Sequence, residues 1–167
     1  MSDAEVASFL ARERTVICAT VGPRGWPHLM PLWYVVRDAP AGESSAGPAP
    51  APAASIWSWT YAASQKVLNL ERDPRATLLV EAGESYQHLC GVTLECDVIV
   101  HRELGTVAAL GEEIFRRYSS PRGQPPAEQL DANVAAMVRR QAAKRVGLEF
   151  IERHRATWDH SKLGGVY

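Results

Sequence analysis

SQKVLNLERDPRATLLVE, residues 64–81, is the stretch on which the reading of this chain turns. Its second half, Arg75 to Glu81, predicts a strand, and IWSWT (56–60) predicts another just upstream. A plain strand connection takes about two to five residues. This one holds a short helix that opens with a hydroxyl residue and a lysine, and Asp73-Pro74 ends it because the residue before proline avoids helical geometry. Ser64 is an N-cap residue type, so the backbone N–H groups of residues 65–67 would point outward at the helix start. That end carries roughly half a positive charge. Lys66 adds a full one, and Thr60 supplies a hydroxyl from the preceding strand. The pattern describes a small anion site suited to a phosphate. It equally describes an ordinary capped helix with a solvated lysine.

Composition narrows the field around this stretch. A length of 167 residues fits one domain over 1–167 with a single core. A formal net charge of −1 gives no general pull toward nucleic acid or anionic membrane. No apolar run approaches the ~20 residues of a membrane span. The N-terminal MSDAEVASFLARER is acidic and then amphipathic, unlike a secretory signal. Three cysteines without a CxxC spacing point to reduced thiols and a cytoplasmic setting.

Working outward, Ser2 and Glu5 have capping-box spacing, and Val6, Phe9 and Leu10 form one stripe, predicting a helix over 3–12. TVICATV (15–21), a turn at GPRG (22–25) and WPHLMPLWYVV (26–36) predict a hairpin whose return strand lies at an edge or bulge, since Pro27 and Pro31 cannot donate ladder bonds. Residues 38–55, rich in Pro, Ala, Gly and Ser, read as a flexible, exposed hairpin tip within the domain. Beyond Glu81, YQHLCGVTLECDVIVH predicts one or two strands. Leu104 to Tyr118 and Leu130 to Val138 predict two helices, and 145–158 a final strand with Val146, Leu148 and Phe150 on one side. Six or so strands with appended helices imply an α+β protein built on an antiparallel barrel-like sheet.

Several motifs resemble one family. Trp59-Thr60, Ser64-Gln65-Lys66 and Asp73-Pro74-Arg75 are similar to the cofactor-phosphate region of the FMN-binding split-barrel superfamily, which includes the pyridoxamine-phosphate oxidases. GWPHLMPLWYV and the tail WDHSKLGG resemble its branch of deazaflavin (coenzyme F-420)-dependent reductases. The resemblance implies a six-stranded split β-barrel with flanking helices, working as a homodimer on a small-molecule substrate. It implies an oxidoreductase in which reduced F-420 gives hydride to an unsaturated or heteroaromatic substrate. FMN is the alternative cofactor, and a non-catalytic flavin- or haem-binding protein is the reading from another class. Backbone groups around Met30, Pro31 and Trp33, and around Trp57, Ser58, Trp59 and Thr60, would meet the cofactor ring. Ser64, Gln65 and Lys66 would hold its phosphate, with Arg72 or Arg75 as outer support. Trp158, His160 and Lys162 would arrive from the second subunit. No catalytic residue is assigned; the proton would come from solvent or from a side chain such as His28. The chain departs from the oxidase pattern at Gln65 and near Met30, where arginines are expected, and His160-Ser161-Lys162 replaces an arginine-rich motif. Fewer cations favour the deazaflavin over FMN.

Other residues read more plainly. Trp26 and Trp33 suit core or interface packing, and Cys18 suits the interior of a strand. His88, Cys90, Cys96 and His101 do not share one strand parity, so no metal site is expected. Arg139-Arg140 and Lys144-Arg145 read as a solvated helix end, with the anionic tail of a deazaflavin as the other occupant. Deleting residues 39–54 is expected to leave folding intact, because closure entropy changes slowly with loop length. Thermal denaturation of the deletion variant checks this; a large fall in Tm would show that the segment packs on the domain.

Overall fold

The structure is a computed structural model that describes residues 1–38, 54–122 and 124–164. Helix α1 (Asp3–Arg12) occupies the residues expected, and its capping box is formed in both directions between Ser2 and Glu5. Val6, Phe9 and Leu10 are its buried stripe. Strand β1 (Val16–Val21) alternates buried and half-buried residues, and a turn containing Gly25 at φ 81° leads into β2 (Pro27–Leu32). The predicted return strand over 26–36 is in fact two strands. It breaks at Trp33, and β3 (Tyr34–Asp38) leaves β1 to pair with β4 (Ala54–Tyr61). Residues 39–53 of the predicted 38–55 loop lie outside the described residues. Its two ends do not belong to a loop: Asp38, Ala54 and Ser55 are strand residues.

Helix α2 (Gln65–Arg72), β5 (Arg75–Ala82), β6 (Cys90–His101), α3 (Leu104–Ser119), α4 (Ala132–Ala142) and β7 (Arg145–Asp159) complete the chain. Among the described residues the sheet has seven strands in the order β2-β1-β5-β6-β7-β4-β3, all neighbours antiparallel. Its two outermost strands are consecutive in sequence. A sheet whose edges meet at one residue must curl round on itself, which makes this a split barrel. The expected count of six follows if β2 and β3 are taken as one bent strand, and seven if the Trp33 corner divides them. Among the described residues, no helix is long and apolar enough to cross a membrane.

Strand alternation sorts β4 onto two cores. Ile56 joins Val16, Leu78, Val92, Leu148 and Phe150 inside the barrel, under α1 and α2. Trp57 and Trp59 face the other way and pack with Val107, Leu110, Ile114 and Val138 beneath α3 and α4. Gly111 is what lets α3 lie so close, since a Cβ there would sit 2.6 Å from the Trp59 ring and 2.8 Å from Val138.

The helical layer is joined to the barrel through a buried cation. Arg117, in the last turn of α3, is 9% exposed. Its guanidinium donates to the carbonyls of Tyr34 (2.6 Å), Leu10 (2.8 Å), Ala11 (3.1 Å) and Glu13 (2.7 Å). Three of these are the end of α1, where unpaired carbonyls and the helix dipole both favour a cation. Tyr34 donates its hydroxyl to the Leu10 and Glu13 carbonyls and lies under the Arg117 charge at 4.4 Å. Replacing Arg117 by Met leaves these carbonyls buried and short of donors. The expected loss in urea denaturation is about 3–5 kcal/mol. A loss under ~1 kcal/mol would mean that water takes over from the guanidinium.

Candidate functional site

The barrel opens where its edges part. β3 follows β4 only as far as the Tyr34–Ser58 pair, so Trp59, Thr60 and Tyr61 have no strand partner on that side among the described residues. β2, having turned away at Trp33, has β1 as its only strand neighbour among the described residues. The Ser58 hydroxyl holds the corner by donating to the Trp33 carbonyl at 2.7 Å. Directly after this gap the chain turns, with the Ser64 amide donating to the Tyr61 carbonyl at 3.0 Å, and enters α2.

Thr60, Ser64 and Lys66 meet at that turn. The Lys66 ammonium donates to Thr60 Oγ1 at 2.9 Å, and the Ser64 hydroxyl is 3.5 Å from the same oxygen. Lys66 is 6% exposed, so it is not the solvated lysine of an ordinary capped helix. Burial pushes its pKa down, and the Arg145 charge pushes the same way. Cys18 opposes this only as a thiolate, and its own pKa is raised by burial to about 12, so at neutral pH it leaves the depression in place. Ser64 sits in the N-cap backbone conformation, but its hydroxyl accepts nothing from the helix. Its carbonyl takes the N–H groups of Val67 and Leu68. The open amides are therefore those of Gln65 and Lys66 among the described residues, not all of 65–67.

Gln65 is turned to another task. Its amide donates to Asn69 Oδ1 at 2.9 Å, and the fully buried Asn69 donates to Thr20 at 3.0 Å. This relay pins α2 to β1. Asn69 and Thr20 went unnoticed in the sequence, although an asparagine four residues after Gln65 is the spacing at which helical side chains meet. Arg75 is 72% exposed and chelates Asp73 at 2.9 and 2.7 Å, holding that carboxyl down at about 2. Arg72 donates to the Val21 carbonyl. Both arginines stand at the far end of α2, roughly 12 Å from its start at 1.5 Å per residue, and neither reaches the cradle.

The residues expected to offer backbone groups to a cofactor ring divide in the same way. Trp57 lies between His101 (4.6 Å) and Arg37 (4.3 Å), while Trp59 meets Phe115 edge-on. Both rings are committed to the outer core, so only backbone remains at these positions for a ligand in the gap. Met30 and Trp33 are exposed along β2 and the corner, with Pro31 between them, and Trp33 stacks on Tyr118 at 4.3 Å. His28 is half-buried opposite Thr20.

Trp158, His160 and Lys162 stand elsewhere. The Trp158 ring crosses Gly91, where any Cβ would overlap it. The His160 amide donates to the Leu89 carbonyl, and Lys162 pairs with Glu5 at 2.6 Å. Arg145 at the start of β7 pairs with Tyr61 beside the cradle, and Trp158 is thirteen residues further, roughly 40 Å of strand. One chain does not bring these three to its own cradle. Nor do the four candidate metal ligands converge: His88 is in a short 3-10 helix bonded to Ser85, Cys96 is buried in the barrel core with Leu94 and Val98, His101 stacks on Trp57 in the outer core, and no metal-binding cluster exists among the described residues.

Comparison with known proteins fits this geometry. The family model described as pyridoxamine 5'-phosphate oxidase matches residues 2–145. The chain belongs to that family. The match contains the gap and the cradle and ends where β7 begins. A conserved hypothetical protein from Mycobacterium tuberculosis is 35% identical, with the alignment covering all of this chain and 90% of that one at a TM-score of 0.77. An F-420 reductase aligns over 89% of this chain and 94% of its own at 19% identity and TM-score 0.55. The heme storage protein of Vibrio cholerae aligns over 94% of each chain at 12% identity and TM-score 0.61. The last two likenesses show the fold alone. No curated protein matches the chain.

The burial of Lys66 has a consequence for stability. A pKa held below 10.5 means the folded state resists protonation. The penalty is complete below the folded pKa and is relieved as pH rises through it toward the unfolded value. Lys66→Met therefore raises Tm by roughly 2–4 °C near neutral pH, about 1 kcal/mol for a chain of this size. The gain over wild type shrinks as pH approaches 10. Differential scanning calorimetry at several pH values checks both the sign and the trend.

Proposed function

We propose that this chain is an oxidoreductase that binds a phosphate-bearing deazaflavin, coenzyme F-420, in the barrel gap and directs hydride transfer to a small unsaturated or heteroaromatic substrate. The carrying observation is the cradle. A buried ammonium without an acidic partner among the described residues stands beside two hydroxyls and the open amides of Gln65 and Lys66. Leaving a buried cation unpaired is costly, and an arriving phosphate supplies the missing charge. The donor set fits a phosphate: a cation, hydroxyls and a helix N-terminus.

When bound, the cofactor supplies the hydride chemistry. The residues of the chain supply placement. Lys66, Thr60 and Ser64 fix the phosphate, and the exposed β2 edge with the Trp33 corner offers backbone groups to the ring. The outer core keeps Trp57 and Trp59 out of the gap, which leaves room for a flat ligand. A second copy is part of the proposal, because Trp158, His160 and Lys162 reach a cradle only from another chain. The proton at the substrate comes from solvent or from His28.

FMN is the second reading, favoured by the family's own description and by a cradle equally able to hold a monophosphate. What supports the deazaflavin is Gln65, whose amide is spent on Asn69 where the oxidase pattern would place a phosphate arginine. Titration of the purified protein with F-420, FMN and haem, followed by fluorescence quenching and absorbance, separates the readings. Quenching of F-420 together with turnover of an electron acceptor is expected. Flavin absorbance in the purified protein would favour FMN, and binding without turnover would favour a non-catalytic carrier. Lys66→Ala is expected to weaken the cofactor by roughly 1.5–3 kcal/mol, the scale of a hydrogen bond to a charged group. Unchanged affinity for both F-420 and FMN in that variant would sink the phosphate cradle.

A further inference from the structure

At the far end of β7 from the cradle, a cavity of about 380 Å³ lies between α1 and the sheet, lined among others by Glu5, Ser8, Phe9, Arg12, Cys90 and Asp159. Glu5, Ser8 and Arg12 recur at three and four residues, so one face of α1 forms its first wall. Cys90 and Asp159 stand directly opposite each other across the β6–β7 ladder and form the second.

The charges along this cavity are sorted. At one end Glu5 is neutralised by Lys162, whose ammonium donates to both of its oxygens at 2.6 and 2.8 Å. Asp159 stands at the same end, within the influence of both charges, and its bonds from Ser161 hold its carboxyl below the usual carboxylate range. It has no ion-pair partner among the described residues. Its Oδ1 accepts from the Ser161 amide (3.1 Å) and hydroxyl (2.6 Å), while its Oδ2 accepts nothing from them. The Met1 ammonium donates to Thr157 Oγ1 at 2.8 Å. At the other end, Arg12 and Arg122 share the buried carboxylate of Glu13, two cations on one anion. Arg12 makes that contact through Nε at 3.1 Å, and its two terminal nitrogens donate to nothing among the described residues. About two turns of α1 separate Glu5 from Arg12, roughly 10 Å along the axis. Only Ser8, Phe9 and Cys90, all uncharged, line the strip between them.

An unmatched carboxylate oxygen at one end and an unmatched guanidinium fork at the other complement a ligand with an ammonium and a carboxylate of its own. An α-amino acid carries both charges on one carbon and bridges the two ends poorly, whereas a dipeptide holds them a peptide unit apart. The volume suits a short ligand, since small-molecule pockets run from roughly 300 to 1,000 Å³. We propose that this cavity, separate from the Lys66 cradle, binds a zwitterion of dipeptide size with an apolar side chain. Its carboxylate meets Arg12, its ammonium meets Asp159, and its side chain lies over Phe9 and Cys90.

The test is calorimetric titration of the full chain with alanyl-leucine, beside N-acetyl-alanyl-leucine, which lacks the ammonium, and alanyl-leucine amide, which lacks the carboxylate. Wild type is expected to bind the free dipeptide and to bind each blocked form at least about tenfold more weakly, the scale of one lost charge-assisted bond. Arg12→Gln and Asp159→Asn are each expected to weaken the free dipeptide by a similar factor. Lys66→Ala is expected to stay within about twofold of wild type, since a group outside the cavity adds independently. Cys90 reports the location. It is half-buried, whereas Cys18 and Cys96 are buried, so its alkylation by iodoacetamide at mildly alkaline pH is expected to slow as the dipeptide fills the cavity. No binding by wild type, equal binding of the blocked forms, or an alkylation rate unchanged at saturation overturns the proposal. A protein that binds alanyl-leucine in this way but ignores F-420 and FMN keeps this inference and loses the proposed function.

Discussion

The guanidinium of Arg117 collects the carbonyl end of α1 and the first carbonyl of β3, and the rest of the molecule is arranged about that meeting. The Tyr34 amide accepts support from Tyr118, whose hydroxyl takes its proton at 2.9 Å, and Tyr118 also carries the stacked Trp33 ring. One cation and two phenols therefore set where the chain leaves β2 and begins β3. That position decides how far β3 can follow β4, and so where the barrel opens. The gap is a consequence of a buried polar contact on the other side of the wall.

Much of this was legible in the residues. The stripe Val6, Phe9, Leu10 and the capping pair Ser2/Glu5 specify α1 with its observed bounds, because both signals are local. The alternation of Val146, Leu148 and Phe150 marks the inward face of β7 for the same reason. What local pattern could not express was the division of WPHLMPLWYVV. Each half alternates acceptably, and only the long-range contacts of Tyr34 with residues 10, 13, 117 and 118 force the corner.

The cradle was legible in kind and misread in orientation. A hydroxyl, a lysine and a helix start do come together, since all lie within seven residues of one turn. The direction of the Lys66 side chain was not visible, because it depends on Thr60 facing the interior beside Ser58. Arg72 and Arg75 looked close in sequence, but helix length carried them to the opposite end. The relay Gln65–Asn69–Thr20 explains why the glutamine is no spare phosphate ligand: it ties α2 to β1 and fixes the direction in which the helix start points.

The corner at Trp33 also bears on how the molecule avoids joining others indiscriminately. Closing a sheet by bending one stretch of chain leaves the outer side of β2, among the described residues, as an unpaired ladder edge, a template on which foreign strands can add. Pro27 and Pro31 fall on that strand, and neither has an N–H to offer an incoming neighbour. The prolines that break the sequence pattern thus act as guards against amyloid-like edge pairing. They make that edge a poor template for a whole strand without closing its carbonyls to a smaller ligand.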